Sequence, residues 1–154
     1  MSRRRLKRYA AWTAIAVPAF FLLAAADLAL RSRGALLRAE RQEYWGAHPA
    51  DKAAHFRALY EDQAGRIKKE ETAGALTAEQ ADRELELAAA ERDFRVSESS
   101  AKQAYLWYRS AAQDFPSPLN PWAGKAGEKL PEALAAWRAE LKAKGLKPET
   151  WMLQ

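Results

Sequence analysis

The chain has 154 residues, with 25 Lys plus Arg against 20 Asp plus Glu, a formal net charge of +5, 49% hydrophobic residues and no cysteine. That length suits one domain of ordinary size, and a 29% charged fraction beside six Trp excludes a disordered chain. Without cysteine there is no disulfide framework, no thiolate metal site and no Cys nucleophile.

The charge is unevenly placed. Arg3, Arg4, Arg5, Lys7 and Arg8 put +5 into residues 1–8, and Asp27 is the one charge in the segment that follows, which leaves residues 31–154 at +1. Nucleic-acid binding needs a basic stripe on a folded surface, where neutralised phosphates release counterions. A short arm ahead of an apolar run is a different pattern, so no nucleic-acid partner is expected.

That run, residues 9–30, begins at Tyr9 and ends at Leu30. As a helix its length is roughly 33 Å, enough for a hydrocarbon core, and backbone groups in lipid must bond internally, so helix is the expected form. Tyr9 and Trp12 stand where an interfacial belt belongs. Pro18 predicts a kink in mid-span. Asp27 lies close enough to the far end to reach interfacial water, so it is assigned no ion-pathway role. The pairs Ala10/Ala14 and Ala25/Ala29 permit close helix packing.

The competing reading is a cleaved signal peptide, with Ala24-Ala25-Ala26 as the cleavage site. Ser2-Arg3-Arg4-Arg5-Leu6-Lys7 even resembles a loose twin-arginine export signal. The uncleaved anchor is preferred because the run exceeds the usual apolar region of roughly 7–15 residues. In both readings the following chain crosses the membrane. The basic arm predicts an N-terminus in the cytoplasm and a C-terminal domain in the periplasm or outside the cell, the membrane being the bacterial inner membrane. Arg31, Arg33, Arg38 and Arg41 beyond the span blur that asymmetry.

Residues 31–48 read as a helical stalk, and residues 49–154 as a soluble domain with helices at about 51–72, 78–114 and 121–144. The expected fold class is therefore all-α, a single transmembrane helix followed by a small helical hairpin or bundle. Gly46, His48 and Pro49 punctuate the chain, and Asp51 is the expected cap of a helix with Ala54, Phe56, Leu59, Tyr60, Ala64 and Ile67 at helical spacing. Thr77 and Gln80 have the form of a capping box. The helix they open carries a seam of Leu87, Ala90, Phe94, Ala101, Ala104, Tyr105, Tyr108, Ala111 and Phe115, with a break expected near Ser97–Ser100. Residues 31–69 sum to +4 and residues 70–98 to −6, which predicts a hairpin through Gly74 that sets basic against acidic. Asn120 and Pro121 read as N-cap and N1 of the last helix. Pro131 is expected to restart that helix after a bend. Gly145 reads as its C′ glycine, with Leu146 following.

Ala104, Tyr108, Ala111 and Pro116 follow the small–aromatic–small–proline spacing of the second helix of a tetratricopeptide repeat, and Trp122 and Ala126 fall where the next repeat begins. Over about residues 101–126 the chain resembles a tetratricopeptide-type hairpin. The pattern departs upstream at Glu91 and Arg92 and downstream at Lys129, and no second full period appears. The resemblance implies a helical docking module without catalysis of its own. The same spacings also pack an ordinary helix pair.

Catalytic chemistry finds little support. His48 and His55 are the only histidines, and with Asp51 they lack a further ligand for zinc or haem. Ser99-Ser100-Ala101-Lys102 matches S-x-x-K without the other motifs that chemistry requires. No carboxylate pair, Gly-rich phosphate loop or catalytic triad signature stands out. The expectation is a protein that is not an enzyme and has no cofactor or metal. Tyr105, Trp107, Tyr108, Trp122, Trp137 and Trp151 crowd the last third and are the candidate partner-binding residues. The expected role is an accessory or scaffold subunit of a larger membrane protein complex, in contact with the other subunits and the bilayer. The alternative is a free-standing envelope adaptor that binds proteins or peptides transiently.

Overall fold

The computed structural model describes residues 3–115 and 120–146, with side chains from residue 12 onward. Every regular element among the described residues is a helix, with no strand. They form α1 (Arg3–Ala47), α2 (Pro49–Thr72), α3 (Ala78–Ser97), α4 (Ser100–Gln113) and α5 (Pro121–Ala143). Trp151 and the side chains of Arg3, Arg4, Arg5, Lys7 and Arg8 lie outside the described residues.

α1 is one unbroken helix of 45 residues, and Pro18 sits inside it without ending it. It is the one described helix long and apolar enough to cross a membrane. From Trp12 to Ala24 it is uncovered on every side, with Ile15, Phe20, Phe21, Leu22 and Leu23 all exposed, as is Leu30 further on. Beyond Leu30 the helix changes role. Ser32, Ala35, Leu36, Ala39 and Trp45 are buried, so the segment expected to be a free stalk is one wall of a helix bundle. Ser32, Ala35, Leu36 and Ala39, at spacings of three and four, make one narrow face, which the surrounding Arg and Glu residues mask in the sequence, while Trp45 turns to His55 and Phe56 of α2.

α4 packs antiparallel against that wall. Ser32 Oγ donates to the Ala111 carbonyl at 2.9 Å, while Gly46 meets Ser100 at the other end. α5 returns alongside, its start near Arg33 and its middle near Glu43. The core of this up–down–up bundle is alanine and aromatic: Ala39, Ala111 and Ala126 are wholly enclosed, and Tyr105 and Trp137 stack at 5.4 Å between ring centres. Alanine at the contacts lets the axes approach closely, and the rings fill the remaining space.

α2 and α3 form a separate antiparallel hairpin, with Ile67, Ala81 and Ala88 buried between them. It meets the bundle mainly at its base. The turn at Gly74 has φ +76°, the left-handed conformation that glycine adopts freely, and Ala75 N–H closes on the Glu70 carbonyl at 2.9 Å. Gly145 ends α5 in the same way, with Leu146 N–H on the Leu141 carbonyl. Thr77 and Gln80 make the expected capping box, and Ser99 and Asn120 cap α4 and α5.

Several expectations require correction. His48, not Asp51, occupies the N-cap of α2, because Pro49 already starts the helix at N1. Asp51 instead accepts a hydrogen bond from the Tyr44 hydroxyl at 2.5 Å. Pro131 lies inside α5, with no restart. The seam fails across the first half of residues 78–114: Leu87 is 71% and Phe94 61% exposed. The Ser99 cap resets the helical phase, so α3 chooses its own inner face, Ala81, Leu85 and Ala88, against α2. No ion pair closes between α2 and α3 among the described residues. Arg66, Arg83 and Arg95 pair within their own helices, and the contact across is Arg92 over the Tyr60 ring at 4.8 Å.

Candidate functional site

Three of the candidate partner-binding aromatics are interior. Tyr105, Tyr108 and Trp137 are 5%, 1% and 5% exposed and hold α4 on α5 and α1. Their helical spacing is the same whether the covering surface is the chain's own or a partner's, so the sequence did not separate the two. The Tyr108 hydroxyl donates to Glu43, whose other oxygen lies 3.8 Å from the Lys129 ammonium. Burial, and then the Glu43 carboxylate, push this phenol well above its ordinary range.

Trp107 and Trp122 are half-buried, and arginines of α1 cover their outer faces. The Arg38 guanidinium lies 4.7 Å from the Trp107 ring centre, and Arg33 lies 5.5 Å from that of Trp122, which Lys125 also approaches at 5.0 Å. Arg31 pairs with Asp27 at 2.8 Å. Three of the arginines that blur the charge asymmetry along the sequence are thus engaged where the domain begins.

At the opposite end, a polar cluster joins hairpin to bundle. The Lys52 ammonium donates to the Glu98 carbonyl, the Gln103 amide to the Glu98 carboxylate, and the Ser99 hydroxyl to Glu140, each at 2.5 Å. Burial pushes the Lys52 ammonium below its usual range, while Glu98 and Glu140 pull it the other way. Burial also acts to raise the Glu140 carboxyl, but hydrogen bonds from Lys144 and Ser99 outweigh it and hold the group below its usual range. Ser99 Oγ accepts from Lys102 N–H at 3.0 Å, so the S-x-x-K spacing is a helix cap here.

The histidines do not converge. His48 stacks on Tyr44 at 4.2 Å, and its Nδ1 faces the Tyr44 carbonyl. His55 lies against Trp45 at 5.1 Å. Among the described residues no group of three or more His, Asp or Glu is gathered as a metal site. A cleft of about 280 Å³ between α1, α4 and α5 is walled mainly by Gly46, Ala101, Ala133 and Ala136 and edged by Glu43 and Lys129. Its titratable groups are already paired with one another.

The sequence reading missed one surface. Leu87, Ala90 and Phe94 follow one another at i, i+3 and i+7 on α3, all exposed. At roughly 100° per residue they lie opposite the inner face of Ala81, Leu85 and Ala88. The signal was present, since the apolar spacing is plain, but it was assigned to the wrong side of the helix. Of α3's charged residues six are acidic, among them Glu86, Glu91 and Asp93 around the stripe, against three arginines.

The pair carrying the tetratricopeptide resemblance, α4 and α5, packs through Ala104, Ala111 and Ala126, with α1 closing one side. Trp122 packs against this core and carries Arg33 and Lys125 on its ring as well. No protein-family model matches the chain, and no curated protein and no solved structure is detectably similar to it.

Proposed function

We propose that the chain is a non-catalytic, single-pass accessory or scaffold subunit of a larger membrane protein complex, docking through the outer face of α3. The observation that carries this reading is the exposed stripe of Leu87, Ala90 and Phe94. It is a helix-in-groove anchor pattern on a hairpin that its own bundle leaves uncovered. Acidic flanks favour a partner groove that is apolar with a basic rim. The apolar part of α1, exposed all round, is consistent with lipid as its surroundings. The basic arm favours a cytoplasmic N-terminus in a bacterial inner membrane, with the helical domain on the periplasmic or outer side. From Leu30 to His48, α1 rises roughly 27 Å, which sets the height at which α2 begins.

The test is purification from native membranes in mild detergent, with wild type beside a Leu87→Glu/Phe94→Glu variant. Stoichiometric partner chains with wild type, lost in a variant of unchanged helical circular dichroism, is the expected result. A small monomer from both, with only transient peptide binding, points instead to the free-standing adaptor.

A further inference from the structure

The end of the bundle nearest the apolar run of α1 has its own chemistry. A groove of about 420 Å³ opens there, lined by Leu30, Arg31, Arg38, Trp107 and Phe115. Leu30 is the last residue of the apolar run. Ser32 bonds to Ala111, so the end of α4 is level with the start of the bundle, and Phe115 lies beside Leu30. Trp122, on the first turn of α5, faces Arg33. Along α1, Arg31 and Arg33 stand roughly 2 and 5 Å beyond Leu30; the Arg38 backbone stands roughly 12 Å beyond it, and its side chain tilts back toward the N-terminal end, into the groove that Leu30 also lines. The headgroup layer of a bilayer is roughly 5–8 Å deep on each side.

We infer that this end of the bundle seats on the headgroup layer of the membrane that α1 spans, with the Arg33–Trp122 and Arg38–Trp107 pairs binding the phosphates of anionic phospholipid and Phe115 reaching the acyl boundary. This rests on the membrane-anchored reading and is independent of the α3 docking face. Two facts select lipid as the occupant. The groove is continuous with the apolar run through Leu30, so an occupant touches both the hydrocarbon edge and the Arg31 and Arg38 side chains, while the Arg33–Trp122 pair faces the same layer from another side of α1. The charges also match: Asp27 is balanced by Arg31 at 2.8 Å, leaving Arg33, Arg38 and Lys125 exposed around the two tryptophans. Guanidinium forks bind phosphate oxygens while their planes rest on the rings. Tryptophan beside arginine at this depth is the composition of an interfacial belt.

The experiment places the full chain in nanodiscs of phosphatidylcholine alone and of phosphatidylcholine with phosphatidylglycerol. It reads backbone hydrogen exchange over residues 107–115 and 120–125. Exchange is expected to be slower with phosphatidylglycerol, and the difference to shrink at high salt. Arg33→Gln/Arg38→Gln should lower the seated-to-free ratio about fivefold per arginine, whereas Arg33→Lys/Arg38→Lys should retain most of the protection. Equal exchange in the two discs overturns the proposal. So does protection in phosphatidylcholine discs on adding inorganic phosphate, which makes the ligand a free anion. If the glutamine variant loosens α5 in both discs, the lysine variant decides: loss of lipid dependence there overturns the proposal, and retention supports it. Alkaline extraction separates the two readings. A chain released from the membrane sinks the anchor itself, whereas a retained chain without lipid dependence sinks only the seating.

Discussion

The Lys52 ammonium reaches the Glu98 carbonyl oxygen at 2.5 Å from a side chain only 4% exposed. That oxygen belongs to the C-cap of α3, where the helix has no N–H donor of its own to offer and its dipole is negative. One lysine therefore closes the hairpin at its base.

Lys52→Ala leaves this part-buried carbonyl without its donor, and stability should fall by about 0.5–1.5 kcal/mol. Amide exchange should quicken first in α2 and α3 and least in α4 and α5. Urea titration and exchange mass spectrometry check both.

Acid should act through Glu140. Its folded value lies below the ordinary 4.5, so its contribution is whole above 4.5 and is lost as pH falls through the folded value. Glu140→Gln should be less stable at neutral pH and lose less on acidification. The measurement is the urea midpoint at neutral pH and at steps below 4.5.

Alkali should act through Tyr108, with the opposite sign. Its folded value is raised above the ordinary 10.0. Its contribution is therefore whole below 10.0 and is lost as pH rises through the folded value. Tyr108→Phe removes a hydrogen bond to a carboxylate, at a cost of about 1.5–3 kcal/mol, and should flatten the alkaline limb of thermal stability against pH.

Ala111→Leu should cost about 1–3 kcal/mol by overpacking the contact where α4 meets its neighbours, since Ala111 is 0% exposed. Ala135→Leu, on the exposed side of α5, should stay within about 0.5 kcal/mol. Melting curves of the two variants distinguish a close helix contact from a general effect of volume.

Much of the fold was legible because its boundaries are chemical. Thr77, Asn120, Gly74 and Gly145 each settle the backbone groups at a helix end in a way that depends on local sequence alone, whereas near Ser97–Ser100 only a break was legible and not the Ser99 cap. Facing was harder. Leu87, Ala90 and Phe94 show that an apolar stripe fixes a face without saying which way it points. The wall of α1 shows the converse: Ser32, Ala35 and Ala39 are too small and too mildly apolar to announce a core position among arginines. The candidate site divided along the same line. Helix geometry alone puts Tyr105 and Trp107 roughly 200° apart, but only tertiary packing decides that Tyr105 is the one turned inward and Trp107 the one beneath Arg38.

Because α1 runs unbroken from Arg3 to Ala47, the number of residues in it fixes a compass bearing. A residue added between Leu30 and Ser32 would swing the whole bundle by about 100° around the membrane normal and raise it by about 1.5 Å. Seven added residues would return the heading to within about 20° while raising the domain by roughly 10 Å. A neighbour fixed in the same bilayer would then lose the α3 face with the first insertion through misdirection, and with the second through height. Insertions of different length can therefore separate the two ways in which one rigid rod aims a surface.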